Sequence, residues 1–134
     1  MLKNAGHEQV WLHINMRKVF MIAMKVGFVL LSSSKTPQPS TRIAVLNMLS
    51  FLRDAGIQAE LVFDPDHDSE VPNLDGLAQR LIAEKFDCVY FQKVRGASVQ
   101  ACVRELSKAG VATVYGVCDL VDPELSQLVD MVLV

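Results

Sequence analysis

The sequence predicts one α/β domain built on a parallel β-sheet. Three observations support this class: short apolar segments alternate with amphipathic segments, turn residues separate them, and 134 residues allow one core. Continuous apolar runs are typical of strands that helices cover on both faces. The chain is 51% hydrophobic and carries a net charge of −2, which argues against disorder and against nucleic acid as a partner.

A first strand, helix and second strand within residues 25–63 organise the rest of the chain. Residues 26–31 are a nearly continuous apolar run, and a polar loop with two prolines follows at residues 32–40. Ser40 or Thr41 is expected to cap the first helix, and residues 57–63 are expected to form the second strand. The helical stripe predicted to face the sheet consists of Ile43, Leu46, Leu49 and Leu52.

The remaining segments alternate in the same way. Helices are predicted at residues 74–85, at residues 96–109 and in a short segment that begins at Asp122 and Pro123. Strands are predicted at residues 87–92, 111–115 and 130–134. Asn73 is expected to cap the second helix. The acidic residues 64–73 lack the glycine and the terminal glutamate of a calcium loop, so a solvated loop is favoured over a metal site.

The topology nominates one edge of the sheet for ligand binding. Right-handed connections and short helices predict a Rossmann-like sheet of five parallel strands in the order 3-2-1-4-5. In that order the chain reverses direction between strands 1 and 4, which places a crevice between residues 32–40 and residues 116–122. Residues 93–96 border the same edge.

The loop after the first strand offers hydroxyls and cations. Ser33, Ser34, Lys35 and Arg42 are candidate binding residues, because hydroxyls, free helix N–H groups and cations suit an anion or a sugar. The loop has no glycine, and neither a dinucleotide fingerprint nor a P-loop occurs in the chain. A tightly wrapped pyrophosphate or FMN phosphate is therefore disfavoured, and no cofactor is predicted. The alternative is a polar loop with capping serines.

Further candidates follow the third and fourth strands. Gln92 ends an apolar strand, where an amide needs a partner or faces a cleft, and Lys93 adds positive charge beside it. Asp119 is the candidate catalytic carboxylate, because a carboxylate at such a crevice can bind a hydroxyl or act as a base. Ordinary solvated strand ends are the alternative. Cys118 lacks the basic sequence neighbours of an activated thiol and is expected to be packed.

The cysteines and the first 23 residues bear on cellular context. Three widely spaced cysteines without a C-x-x-C pair predict neither a disulfide framework nor a metal site, and they favour a reducing cytoplasm. Residues 1–23 carry no signal-peptide order and are interpreted as an extension that is not native or poorly ordered. The alternative is an amphipathic helix whose apolar residues pack on the domain or on a partner, namely Val10, Trp11, Ile14 and Val19.

Two stretches resemble a known family. Residues 40–62, STRIAVLNMLSFLRDAGIQAELV, look like the first helix and second strand of the N-terminal domain of group 1 glycosyltransferases with the GT-B fold. Residues 86–122, FDCVYFQKVRGASVQACVRELSKAGVATVYGVCDLVD, are similar to that family's strand ending in Gln-Lys/Arg, its following helix and strand, and its acidic turn. The resemblance covers roughly residues 25–134.

The resemblance implies the acceptor-binding half of a two-domain enzyme of polysaccharide biosynthesis. Its partners would be a glycan or lipid-linked acceptor and a nucleotide-sugar-binding C-terminal domain with a glutamate pair, which this sequence does not contain. The chain would then be a fragment or a stand-alone domain that transfers no sugar alone, and it could form a homodimer. A cytoplasmic location is expected, with the inner face of a membrane as the alternative. The family's glycine-rich first loop is missing here.

A second class of function stays open. The chain could be a stand-alone flavodoxin-like module that binds a ligand or a protein without catalysis. A phosphorelay receiver is disfavoured, because serines and Gln92-Lys93 occupy the positions of its acidic residues. A flavin site is disfavoured by the prolines at positions 37 and 39.

Overall fold

The computed structural model describes residues 24–134, so the predicted extension at residues 1–23 lies outside the described residues. The predicted fold class is confirmed. Five parallel strands form one sheet with helices on both faces, which is a Rossmann-like α/β domain.

Five strands and four helices alternate along the described chain. The strands are β1 (Lys25–Val29), β2 (Gln58–Phe63), β3 (Cys88–Gln92), β4 (Ala112–Gly116) and β5 (Met131–Leu133). The first helix, α1, runs without a break through Pro39–Thr41, Arg42–Leu46 and Asn47–Asp54. The other helices are α2 (Leu77–Ala83), α3 (Ala97–Lys108) and α4 (Pro123–Leu128).

The strand order differs from the predicted one. The sheet runs β2-β1-β3-β4-β5, so β3 lies beside β1 and not beyond β2. The composition of the two strands explains the difference. Gln58 and Glu60 alternate with apolar residues in β2 and are exposed, which suits an edge strand, whereas Val89 and Phe91 of β3 are fully buried.

The two faces of the sheet carry separate cores. On one face, α2, α3 and α4 pack on β3 and β4, and the buried side chains include Leu81, Phe91, Val103 and Leu125. On the other face, α1 packs on β1 and β2 in a smaller core made of Phe28, Leu30, Val45, Leu49 and Ala59. Three helices therefore cover one face, whereas α1 is the helix described on the other.

The stripe of α1 that faces the sheet is shifted from the predicted one. Val45 is fully buried and Ile43 is 62% exposed, contrary to the prediction that Ile43 faces the sheet. The cause is the spacing of the predicted stripe, because each of its three-residue steps falls about 60° short of a full helical turn and the stripe drifts around the helix. Val45, Leu49 and Leu52 follow steps of four and three residues, and Ile43 lies nearly opposite Val45. The predicted side-chain cap is also wrong, because the helix begins at Pro39 and the Gln38 cap position makes no side-chain bond.

The predicted start of the second helix is also corrected. The helix begins at Leu77, after Gly76 with a φ of 80°, and the Asn73 side chain accepts from the Asp75 amide in the preceding turn. The predicted cap of the fourth helix is confirmed, because the Asp122 carboxylate accepts from the Glu124 amide at 3.1 Å.

Two arginines cover the free edge of β2. The Arg53 guanidinium donates to the Ala59 carbonyl at 2.9 and 3.1 Å, and Arg80 donates to the Val62 carbonyl at 2.7 Å. Occupied carbonyls and charged side chains prevent an edge strand from pairing with another chain. These contacts therefore protect the edge strand β2 from pairing with another chain.

Candidate functional site

The candidate site lies at the carboxyl-terminal edge of the sheet, where the loops after β1, β3 and β4 meet. In the observed strand order the connections from β1 and β3 lead to opposite sides, so the topological switch point lies between β1 and β3. This corrects the prediction that it lies between the first and fourth strands. The start of α1 and the loop after β4 line one cleft, together with the end of β3.

Gln92 is a structural residue at this edge. It is 1% exposed, and its side-chain oxygen accepts from the Leu31 amide at 3.0 Å and from the Thr41 hydroxyl at 2.9 Å. The Ser32 hydroxyl donates to the Thr41 oxygen and accepts from the Gln38 amide, both at 2.9 Å. This buried network fastens the β1 loop and the start of α1 to the end of β3. The amide oxygen of Gln92 is thereby occupied by protein donors.

The serines of the β1 loop also bond within the protein. The Ser34 amide donates to the Asp64 carboxylate at 2.8 Å, and the Ser34 hydroxyl donates to the same carboxylate. Buried Ser33 accepts from the Lys35 amide at 3.2 Å through its hydroxyl and from the Thr36 amide at 3.2 Å through its carbonyl. Together with the Gln38 amide, four N–H groups of this loop are used internally, so the loop does not present them to an anion.

The predicted cations of the first loop stand apart from the clefts described below. Lys35 and Arg42 are exposed, and neither they nor Ser33 and Ser34 line the two clefts beside Lys93. The structure thus brings Gln92, Lys93 and Asp119 together and leaves the other four predicted residues outside.

Lys93, Cys118 and Asp119 form a polar cluster. The Lys93 ammonium donates to one Asp119 oxygen at 3.1 Å, and the Cys118 thiol donates to the other at 2.6 Å. Lys93 has a φ of 57°, a left-handed conformation that is uncommon for a residue with a side chain and that concentrates at functional sites. The backbone is held by the bond from the Lys93 amide to the Gly116 carbonyl at 2.9 Å.

These contacts favour the charged forms of both Asp119 and Lys93. The hydrogen bond from Cys118, followed by the one from Lys93, lowers the pKa of Asp119 below its ordinary value. The hydrogen bond to Asp119 raises the pKa of Lys93, against a smaller opposing effect of burial. An ionised, exposed carboxylate is therefore present at neutral pH.

A polar cleft of about 390 Å³ opens on one side of this cluster. A second ion pair, between Arg95 and Glu70 at 3.3 Å, contributes to its wall, and the exposed Leu120 and Val121 contribute an apolar surface. Donors and acceptors therefore lie beside an apolar surface, an arrangement that suits a ligand with both hydroxyl groups and C–H faces.

An apolar cleft of about 300 Å³ opens on the other side of Lys93. Ile43 and Ala44 of α1 form one wall, and Tyr90 and Gly116 of β3 and β4 lie opposite. A Cβ at position 116 would fall 1.7 Å from the Tyr90 hydroxyl oxygen, so the glycine leaves room for the tyrosine. Lys93 thus lines both the polar and the apolar cleft, whereas Asp119 lines the polar one.

Some contributors were not recognised in the sequence. Cys118 is exposed and bonded to Asp119, so the prediction of a packed thiol is wrong. The basic residue near Cys118 is Lys93, which follows β3 and is therefore not a sequence neighbour of Cys118. Tyr115 is buried, and it is one of the residues around the polar cleft. Glu70 lies in the acidic loop at residues 64–73, and the sequence does not show which acidic residue of that loop pairs with Arg95.

Comparisons with protein-family models, with curated proteins and with solved structures returned no match. Within residues 24–134, no group of three or more histidine, cysteine or acidic side chains is placed to hold a metal ion. No helix in that part of the chain is long and apolar enough to span a membrane.

Proposed function

We propose that this chain is the acceptor-binding half of a nucleotide-sugar-dependent glycosyltransferase, with a saccharide acceptor bound in the polar cleft. The observation that carries the proposal is the Lys93–Asp119 pair at the carboxyl edge of the sheet, with the exposed Asp119 carboxylate lining the polar cleft. The resemblance of residues 40–62 and 86–122 to the acceptor-side domain of group 1 glycosyltransferases points to the same edge.

The chemistry of the cleft favours a hydroxyl-rich ligand over a phosphate. A sugar hydroxyl both donates and accepts, and the paired cations and carboxylates of the cleft offer partners for both. Glu70, Asp119 and Asp122 outnumber Lys93 and Arg95 among the charged lining residues, which disfavours a polyanion. The internally bonded amides of the β1 loop remove the usual phosphate cradle of such folds.

Asp119 is the residue proposed to contact the reacting hydroxyl of the acceptor. Its ionised carboxylate would accept a hydrogen bond from the acceptor hydroxyl and orient that oxygen for attack on a sugar donor. Lys93 would hold the carboxylate in place and donate to a neighbouring sugar oxygen. The donor and its binding domain are expected from outside this chain, so the chain alone is not expected to transfer sugar.

A stand-alone flavodoxin-like module that binds a ligand or a protein without catalysis is the second candidate. The observed strand order, β2-β1-β3-β4-β5, is the order of flavodoxin-type sheets and favours it. The two candidates differ in the ligand that each predicts at the carboxyl edge.

The test is an amide NMR titration of the full chain with methyl glycosides of common hexoses, with UDP-glucose and GDP-mannose, and with FMN. Shifts around Lys93, Arg95 and Asp119 with a methyl glycoside alone are the expected result. Shifts with a nucleotide-sugar alone would assign donor binding to this domain and overturn the proposed side. Shifts with FMN, or with none of the probes, would favour the flavodoxin-like or interaction module.

A further inference from the structure

The apolar cleft beside α1, which the proposed function does not use, has a volume of about 300 Å³. Ile43 and Ala44 line it from the helix, and Tyr90 and Gly116 line it from the sheet. Pockets with an apolar lining and a few polar groups are the usual binding sites of small molecules. An apolar cavity of about 150 Å³ can hold a benzene molecule. The cleft therefore has room for one substituted ring.

The Tyr90 hydroxyl is a free hydrogen-bonding group at this cleft. It lies over Gly116, because a Cβ added at position 116 would overlap its oxygen. Burial, followed by the electrostatic effect of Cys118, raises the pKa of Tyr90, and no hydrogen bond from residues 24–134 contributes to that shift. Every fully buried side-chain oxygen or nitrogen in that range has a partner, so the unbonded hydroxyl must be open to solvent. It therefore stays protonated at neutral pH and can both donate to and accept from a ligand.

The charges around the cleft favour an uncharged ligand. Lys93 is the one charged residue that lines it in the part of the chain that the structure describes. The Lys93 ammonium is already paired with Asp119 at 3.1 Å, so an anion would meet a neutralised cation with a carboxylate close behind it. A cationic ligand would be repelled by Lys93. The Gln92 side-chain oxygen is occupied by the Leu31 amide and the Thr41 hydroxyl.

We propose that the apolar cleft binds a small uncharged molecule with one ring and one hydroxyl group, of the chemical class of monocyclic phenols. The ring would pack between Ile43 and Ala44 of α1 and the ends of β3 and β4. Its hydroxyl would form a hydrogen bond with the Tyr90 hydroxyl. A bare hydrocarbon fits less well, because it would displace water from the Tyr90 hydroxyl without replacing that hydrogen bond. The site goes beyond the proposed function and needs no saccharide.

The test is an amide NMR titration of the full chain with 4-methylphenol and with toluene, which lacks only the hydroxyl. Both probes should shift amides around Ala44 and Gly116, and 4-methylphenol should bind more tightly. Tyr90→Phe keeps the ring and removes the hydroxyl, so it should weaken the binding of 4-methylphenol about fivefold, the scale of one neutral hydrogen bond. The same variant should not weaken the binding of toluene.

A second pair of variants tests the location of the site. Ala44 is exposed on the wall of the cleft, so Ala44→Leu adds bulk there without burying a new group in the core. It should weaken the binding of both probes by about tenfold or more, because the added side chain occupies the space of the ring. Ala83→Leu is the matched control, since Ala83 is an exposed alanine of α2 that lines neither the polar nor the apolar cleft. It should leave both affinities unchanged.

Three results would overturn the proposal. Neither probe could shift the amides around the cleft at millimolar concentration, or Ala44→Leu could match Ala83→Leu while the amide spectra show both folded. Benzoate, added as an anionic probe of similar size, could bind more tightly than 4-methylphenol, which would contradict an uncharged ligand. None of these readings uses a saccharide, so this proposal and the proposed function fail separately.

Discussion

At the residue scale, Gln92 illustrates that a polar side chain at a strand end can find partners within the protein. The sequence predicts that this amide needs a partner, and the structure shows that the partners are Leu31 and Thr41. The partners come from 61 and 51 residues away, so no local pattern could identify them. The residue type indicated a polar contact correctly, but not whether protein or ligand supplies it.

Replacing Gln92 tests this structural role. Gln92→Leu would leave the buried Leu31 amide and Thr41 hydroxyl without that acceptor, at a cost of about 1–3 kcal/mol in the free energy of unfolding. Gln127→Leu, at an exposed position of α4, is the matched control and should change stability little. Urea unfolding measures both variants. Equal stability of the two would show that the Gln92 network contributes nothing to the fold.

The Asp119 carboxylate gives a pH prediction. Because its pKa in the folded chain is lower than the ordinary 3.8, its contribution to stability is present above that ordinary value and is lost as pH falls through the folded pKa. Cys118→Ala removes the larger of the two hydrogen bonds that lower the pKa, so the pKa should rise towards the ordinary value. An NMR titration of the Asp119 carboxyl carbon measures it. An unchanged pKa would show that the thiol bond does not form in solution.

At the element scale, α1 shows what a hydrophobic pattern can and cannot predict. The helix itself follows from its apolar spacing, and it ends at Asp54, shortly before Gly56, whose φ of 88° suits the end of a helix. The predicted inward face was wrong at Ile43, because a stripe with three-residue steps drifts around a helix of 3.6 residues per turn. The π-helical turn at Arg42–Leu46 is a further irregularity of this helix. Nothing in the composition of Arg42–Leu46 marks that turn.

Paired truncations test the register of α1. Leu49→Ala should cost about 2–5 kcal/mol in the free energy of unfolding, because Leu49 is buried in the smaller core. Ile43→Ala should cost less than about 0.5 kcal/mol, because Ile43 is exposed. Chemical denaturation of the two variants gives the comparison. A larger loss at Ile43 than at Leu49 would contradict the observed inward face of α1 and favour the predicted stripe.

At the scale of the whole molecule, the sequence was sufficient for the fold class but not for the strand order. Alternating apolar and amphipathic segments establish a parallel sheet, and right-handed connections permit the third strand on either side of the first two. The available signal was the polarity of β2, where Gln58 and Glu60 indicate an edge strand. The candidate edge does not depend on the strand order, since all parallel strands end at the same edge.

The topology of the sheet also explains which candidate residues could be predicted to lie together. Lys93 and Asp119 each follow a strand, so the topology alone brings them to one edge. Ser34 follows a strand as well, but Asp64 at the end of β2 occupies its hydroxyl. Loop geometry of this kind depends on contacts between distant segments, and strand positions do not predict it.

The central claim is that the Lys93–Asp119 edge binds a saccharide, and affinity measurements on matched lysine variants test it most directly. A methyl glycoside that binds the full chain in the NMR titration should bind Lys93→Met roughly tenfold more weakly, about 1.4 kcal/mol, the scale of one hydrogen bond to a charged group. Lys35→Met removes an equal charge outside both clefts and should bind as tightly as the original chain. Equal affinities of the two variants, with folded amide spectra for both, would contradict the account.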